Sequence, residues 1–513
     1  MRSAWADAAI EAGEAPIVLV TIALPSGRRL RVASEACSIA TRTSEDGPYA
    51  YQPLLLSIDE FTEELDPFAL GGVGSFAQAR IEVATDVDVA ALQAAWQHLS
   101  AARVEVAYWW RGQPWHERHI LLDSATVQGL EFGGAGEPLA LVLEAAPPVT
   151  SAAVGDASRD LGADFPGSID TALDAMTDLS GSEYQIVYGD PESVPGYKIG
   201  AVAGSNRLVL AGDLWPDLGA ITVFEDGASV GSFTPLVATD YTYVTSLTEF
   251  LAASGAYTYR ATRGGSASAT DNARPALGAG AVLRRLLTDS GLRIDWVRCE
   301  RALQLLMSWR IGLFLDRQAP AIDVVREQLV PWLPIVEMAG GAGLWYAYAD
   351  PHLAPIEAEL TLGQGLVGRV GRVSMSDRDL VRNSFSLRYT REEFSGEYTA
   401  TVALDSANDP LCYLSEQLYG TLADEVLDCP ISWDATTGLR ILHARAARLA
   451  LPRRRVTYVL SRDLYWLAGG AVCALTDPVL SLASARAVAV AVSRGAQVSA
   501  TFELVDRTPY VAL

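Results

Sequence analysis

Alternating apolar and polar residues predict an antiparallel hairpin in the last third of the chain. Residues 383–390 and 397–404 both alternate with a period of two, and the Gly-containing segment 391–396 connects them. This pattern on both sides of a short connection is typical of two paired strands.

A helix and two further strands follow the hairpin. Helical spacing over residues 436–450 places a set of apolar side chains on one stripe, and Pro452 stands just beyond the predicted end. That stripe consists of Leu439, Leu442, Ala446 and Leu449. Residues 453–460 and 467–477 then have the composition of strands.

The order hairpin, helix and barrel-like strands resembles the tube-forming domain of baseplate hub (tail-tip hub) proteins from long-tailed, siphophage-like bacteriophages and gene transfer agents. The resemblance implies a structural virion protein, a homotrimer whose paired barrel domains form a pseudo-hexameric ring. Its implied partners are the distal tail protein, the tail tube or tape measure protein, and a central tail fibre or spike. DNA would pass transiently through the ring, at the tail tip of a virion that is made in the host bacterial cytoplasm.

Length and composition predict several domains of a mainly β protein with some α (α+β). The chain has 513 residues, too many for one core, and half of them are hydrophobic. We expect a first tube-like β-barrel or sandwich domain at 15–148, a small β-domain at 165–264, a mixed α/β insertion domain at 274–380 and a second tube-like barrel at 381–513. Each tube-like domain is expected to carry one helix.

Shorter patterns place elements within these regions. The first region has seven or eight candidate strands and one amphipathic helix over 89–99. In the second, Asp226 and Gly227 lie at the turn of a predicted hairpin. The third has helical periodicity at 282–287 and 321–329 and strands at 309–315 and 344–348.

The charge of −23 argues against stable binding of nucleic acid through its phosphates, which requires clustered cations. The densest basic run, Arg453, Arg454 and Arg455, is better interpreted as an exposed strand start or a contact with an acidic neighbour. An acidic wall would keep passing DNA from sticking, which is compatible with a tail tube. No apolar run reaches membrane-spanning length and the amino-terminal residues lack a signal-peptide pattern, so we expect a soluble protein without stable membrane insertion.

Candidate chemistry is sparse, and we predict no catalytic, cofactor-binding or metal site. Lys198 is the only lysine, and no glycine-rich phosphate loop precedes it. His116 and His119 flank Glu117 but lack metalloprotease spacing, and a solvated loop at a hairpin end is the preferred interpretation. Carboxylate pairs such as Glu63 with Glu64 are more typical of solvated turns than of a glycosidase.

The remaining candidates are thiols, carboxylates and aromatic side chains. The five cysteines indicate buried free thiols, with a Cys412–Cys429 disulfide as the less favoured possibility. The other carboxylate pairs are Asp377 with Asp379 and Glu392 with Glu393. The aromatic group Tyr108, Trp109, Trp110 and Trp115 favours a core or subunit interface over a sugar-stacking platform. Two alternatives stay open: a distal tail or carbohydrate-binding component that recognises a receptor, and a tail-associated cell-wall hydrolase.

Overall fold

The structure is a computed structural model, and its coordinates describe most of the chain. The described residues are 4–39, 49–58, 61–64, 72–73, 75–76, 79–84, 102–132, 138–144, 152–154, 186–189, 194–195, 197–202, 205–211, 221–225, 228–234, 236–237, 242–246, 257–261, 278–315, 318–340, 343–348, 355–375, 378–391, 396–432, 434–494 and 497–505. The predicted helix over 89–99 and the carboxylates Asp377, Glu392 and Glu393 lie outside them.

The first region is a curled seven-stranded sheet preceded by helix α1 (Ala4–Glu11). Not all strands in this part of the chain belong to that sheet. They are β1 (Ile17–Ala23), β2 (Arg29–Ala33), β3 (Cys37–Ile39), β4 (Tyr49–Tyr51), β5 (Leu55–Ile58), β6 (Phe61–Glu64), β7 (Gly72–Val73), β8 (Ser75–Phe76), β9 (Ala79–Val83), β10 (Arg103–Trp109), β11 (His119–Phe132), β12 (Leu139–Glu144) and β13 (Ala153–Val154). The order in the sheet is β2-β1-β10-β11-β12-β9-β5.

Hydrogen bonds at Gln52 join the two edges of this sheet. Gln52, three residues before β5, donates its N–H to the carbonyl of Arg31 in β2 (3.1 Å) and accepts from the N–H of Ala33 (2.8 Å). The sheet therefore closes around the apolar side chains that alternate along β1 and β10, and we call it the first barrel. The predicted fold class, mainly β with some α in several domains, is confirmed.

The small β region consists of two four-stranded sheets, ordered β15-β22-β18-β19 and β16-β17-β21-β20. Its strands are β14 (Ile186–Gly189), β15 (Val194–Pro195), β16 (Tyr197–Val202), β17 (Ser205–Ala211), β18 (Ile221–Glu225), β19 (Ala228–Phe233), β20 (Leu236–Val237), β21 (Thr242–Ser246) and β22 (Tyr257–Ala261). The predicted hairpin is confirmed, since β18 pairs antiparallel with β19. Strand β14 pairs instead with a strand of the mixed region.

The mixed region combines helices with short strands. Its elements are α2 (Ala279–Asp289), α3 (Trp296–Leu306), β23 (Gly312–Leu315), β24 (Ala319–Pro320), α4 (Ala321–Val324), β25 (Ile335–Gly340) and β26 (Gly343–Tyr348). A π-helical turn over Val325–Leu329 continues α4. The sequence patterns predicted α2, α4 and β26 but missed α3, whose amino terminus is capped by the carboxylate of Asp295 accepting from the N–H of Arg298 (3.2 Å).

The last region is a closed six-stranded barrel with an insert. Its elements are β27 (Ala358–Leu362), β28 (Gly365–Met375), β29 (Ser384–Arg391), β30 (Tyr398–Leu404), α5 (Pro410–Tyr419), β31 (Ala423–Asp428), α6 (Ala435–Leu449), β32 (Arg454–Leu460), β33 (Val472–Asp477), β34 (Leu482–Arg494) and β35 (Val498–Leu504). The ring β27-β28-β32-β35-β34-β33 closes because β33 pairs with both β27 and β34. We call it the second barrel.

The segment between β28 and β32 leaves the second barrel. The predicted hairpin is confirmed as β29–β30, and the predicted helix is confirmed as α6, capped by Asp434 through the N–H of Thr437 (2.8 Å). Their buried side chains, such as Phe385 and Leu442, share one core with α2, α3 and β26. The second barrel thus begins at Ala358, and residues 384–449 belong to the helical core. The sequence pattern instead placed the boundary between the insertion domain and the second barrel at residue 381.

Candidate assembly site at the seam between the barrels

Two barrels of one chain meet at a seam, where the segment that follows the first barrel pairs with a strand of the second. Strand β6, which follows β5 of the first barrel, pairs antiparallel with the end of β34 in the second, so that Phe61 lies opposite Arg494 and Glu64 opposite Ala491. Strand β8 pairs with β6 in turn, and β7 pairs in parallel with β25 of the mixed region. One short segment after β5 therefore binds two other parts of the molecule, the second barrel and the mixed region, by backbone hydrogen bonds, which are insensitive to side-chain identity.

Aromatic packing fills the seam. Tyr465, which follows a 3₁₀ turn over Arg462–Leu464, belongs to the core of the first barrel although its neighbours in the chain line the second. Its ring centroid lies 4.9 Å from that of Trp110 and 4.9 Å from that of His119. The adjacent Trp466 packs against both cores. These tilted and edge-on arrangements are the ones that aromatic rings prefer.

A buried cation crosses the same seam. Arg494 is 4% exposed, and its Nε donates to the carbonyl of Tyr465 (3.3 Å) while its Nη2 donates to the carbonyl of Leu467. A buried guanidinium is costly unless its donors are satisfied, so these bonds fix the turn that carries Tyr465 against the end of β34.

His119 is buried in this seam and is kept neutral. Burial lowers the pKa of His119 well below its usual value, and the nearby positive charge of Arg494 lowers it further. The expectation of a solvated loop is therefore wrong for His119, because it is the first residue of β11 and packs edge-on against Tyr465. It holds for His116, which lies in the exposed 3₁₀ turn Trp115–Glu117 at the hairpin end.

The aromatic group of the first barrel is core, as predicted. Tyr108 and Trp110 point into the barrel and Trp109 packs on its other face, where its indole N–H donates to the carbonyl of Gln113 (2.7 Å). The guanidinium of Arg118 covers one face of Trp115 at 3.9 Å, and Tyr49 approaches its edge. The described contacts thus leave no open aromatic platform at this group for a sugar ring.

The basic run at the start of β32 contacts an acidic neighbour, as one of the two predicted alternatives stated. Arg453 and Arg455 both donate to the buried carboxylate of Glu503 on β35, the latter at 3.3 Å, and Arg453 also donates to the carbonyl of Arg448 (2.9 Å). Arg453 is buried rather than exposed. The run therefore ties the carboxyl end of α6 to the second barrel.

The other candidate residues do not lie together at one site. Lys198 lies on strand β16. All five cysteines are free, and burial raises the pKa of Cys412 and of Cys429 to about 12. Within the described ranges, no group of three or more His, Cys, Asp or Glu side chains could hold a metal ion.

Among the helices in the described part of the chain, none is long and apolar enough to cross a membrane.

Comparison with known proteins gives structural matches alone. No family model and no curated protein sequence matches the chain. The structures similar to it include the virion of a native gene transfer agent particle, at 15% identity over 64% of this chain and 86% of that one, with a TM-score of 0.41. A 43 kDa tail protein of prophage MuSo2 from Shewanella oneidensis is similar at 9% identity over 95% and 98% of the chains, with a TM-score of 0.32.

A p2 virion baseplate in its activated conformation is similar at 10% identity over 63% and 90% of the chains, with a TM-score of 0.19. Since all three TM-scores are below 0.5, the function of this chain rests on its own geometry. These similar structures come from a gene transfer agent virion, a prophage tail and a virion baseplate.

Proposed function

We propose that this chain is a structural hub of a virion tail tip, in which three copies form a ring that continues the tail tube. One observation carries the proposal: a single chain holds two β-barrels side by side through a buried seam. Three such chains supply six barrels, which is what a pseudo-hexameric ring above a three-fold fibre or spike requires. The proposed role needs no catalytic group.

The seam suits a ring whose subunits must stay rigid under mechanical force. The barrels are joined by the pairing of β6, in the segment that follows the first barrel, with β34 of the second, by the aromatic contact of Tyr465 and by the bonds of Arg494. Because these contacts are buried and varied in kind, the two barrels would turn and move as one body when neighbouring tail proteins attach. The distal tail protein, the tube or tape measure protein and the central fibre are the partners that such a ring would meet.

The charge of the chain is compatible with a channel for DNA. A net charge of −23 gives the assembled ring a strongly negative field, which repels the phosphate backbone and prevents adsorption to the wall. DNA would then pass through without binding, and gating would come from rearrangement of the ring rather than from affinity.

The mass and shape of the purified full chain test the proposal. Sedimentation velocity should show a species of three copies of the 54.8 kDa chain, and electron microscopy should show a ring with six density lobes around an axial channel. A monomer at every concentration, or a compact particle without a channel, would overturn it. Assays of cell-wall lysis and of saccharide binding on the same preparation address the hydrolase and the carbohydrate-binding alternatives.

A further inference from the structure

The surface around helix α3 is basic in a chain that is strongly acidic overall. Residues 279–310 contain six arginines and three acidic residues, against a net charge of −23 for the whole chain. Three of these arginines pair locally, in Arg284–Glu300, Arg285–Asp289 and Arg298–Asp295. Arg301 and, four residues beyond the end of α3, Arg310 are exposed.

Apolar side chains lie among these arginines. At 100° per residue, Trp296, Met307, Val297 and Arg301 fall within one arc of α3, on the side away from the buried Cys299 and Leu306. Val297 is 67% exposed and Met307 49%. We call this set, together with Arg310, the basic surface. Exposed Trp, Met and Arg on one helix face are characteristic of protein interfaces.

A second surface has the opposite charge. Residues 397–428, which span β30, α5 and β31, contain seven acidic residues and no Arg, Lys or His. Two of the seven are paired with arginines outside the segment, in Arg388–Asp428 (2.5 Å) and Arg445–Asp424 (2.6 Å). Asp409 also lies near His443 (3.3 Å), and the segment as a whole keeps an excess of acidic residues.

Apolar side chains are exposed on this second surface too. Tyr413 and Leu418 on α5 are each more than half exposed. Strand β30 lies at the edge of the sheet β30-β29-β31 and has no charged residue from Tyr398 to Leu404, so another chain can approach it closely. We call Tyr413, Gln417, Leu418 and Glu425 the acidic surface.

We propose that the basic surface of one copy docks on the acidic surface of the next copy. The inference rests on the proposed function, and it names the surfaces that would make the subunit contact. Each surface has an exposed apolar centre, and their charges are opposite, so docking would bury apolar area and bring unlike charges together. Because the two surfaces differ, the contact is head-to-tail, which is the kind that closes into a ring.

Charge reversal on the full-length chain tests the docking. The variant Arg301→Glu/Arg310→Glu reverses the basic surface, and Gln417→Arg/Glu425→Arg reverses the acidic one. Sedimentation velocity should show that each variant assembles at least tenfold more weakly than the natural chain. The chain with all four substitutions should regain assembly, since its two surfaces are again opposite in charge.

A matched control separates this contact from net charge and from misfolding. Arg29→Glu/Arg111→Glu changes the net charge by the same amount as the basic-surface variant, on exposed side chains of the first barrel, and should assemble like the natural chain. The circular dichroism spectrum should be unchanged in all variants, which shows that each of them is folded. Assembly of the natural chain should also weaken as salt rises.

The outcomes distinguish the two proposals. If the natural chain forms a ring and either reversed variant assembles normally, or the fourfold variant fails to recover, the docking is wrong and the hub proposal stands. If the natural chain is a monomer at all concentrations, the ring itself is wrong, and the docking falls with it.

Discussion

Tyr465 lies with its ring centroid 4.9 Å from that of Trp110, although the two residues are more than 350 positions apart in the sequence. Trp110 directly follows β10 of the first barrel, whereas Tyr465 follows a turn of the second. Both are almost fully buried. The contact makes one aromatic side chain a shared part of two cores, and it is the geometric reason to treat the barrels as one unit.

Truncation of Tyr465 should weaken this unit. We expect Tyr465→Ala to lower the free energy of unfolding by about 3–5 kcal/mol, because a large aromatic side chain is removed from a filled core. Urea unfolding followed by tryptophan fluorescence measures the change. Val367→Ala, at an exposed position on β28, is the control and should change the unfolding free energy little. Equal effects of the two variants would contradict a structural role for the seam.

His119 should make the seam sensitive to acid. Its native pKa is well below its usual value, so below pH ~6.5 the unfolded chain binds a proton that the native chain does not. Stability then falls as the pH falls, by about 1.4 kcal/mol per pH unit until the native pKa is reached. In His119→Asn this contribution should vanish, which urea unfolding between pH 7.5 and 5 would show.

The exposed His116 provides the matched control for that experiment. His116→Asn removes an imidazole three residues earlier in the chain, outside the seam. It should keep the slope of stability against pH that the natural chain has. An unchanged slope in His119→Asn would mean that His119 is solvated when the protein is native.

Glu503 should be needed for the second barrel to hold the end of α6. Its buried carboxylate accepts from Arg453 and Arg455, so Glu503→Gln leaves two guanidinium groups without their counter-charge. The expected loss is about 3–5 kcal/mol, the usual effect of removing one partner of a buried ion pair. Chemical unfolding compared with Glu359→Gln, a change at an exposed carboxylate on β27, would measure it. A loss below 1 kcal/mol would contradict the buried pairing.

Gly280 should be required for helices α2 and α3 to approach each other. A Cβ at this position would lie 2.0 Å from the carbonyl oxygen of Leu303, and backbone atoms cannot move aside as a flexible side chain can. Gly280→Ala should therefore destabilise the mixed region by about 1–3 kcal/mol or more. Gly368→Ala, where a Cβ would meet nothing within 4 Å, is the control in the same thermal melt. Melting of Gly280→Ala at the temperature of the control would show that the helices are not in close contact.

Local patterns determined most of the elements and part of the candidate site. Alternation, helical spacing and charge act over a few residues, so local patterns predicted several features. These are the hairpin β29–β30, helix α6, the aromatic strand β10 and the acidic contact of Arg453. The short helix α5 was missed, since its apolar stripe is interrupted by exposed Tyr413 and Leu418. Its signals were the Asp409 cap, Pro410 at its first position and Gly420 after its end.

The sequence by itself determined that this is a mainly β, acidic, multi-domain chain without a readable catalytic motif. Tertiary structure alone decided that β29–α6 leave the second barrel for the helical core, that β6 pairs with β34, and that His119 and Arg494 are buried together. These are contacts between residues far apart in the chain. Periodicity records which side of an element is apolar, but it does not record which distant surface will cover that side.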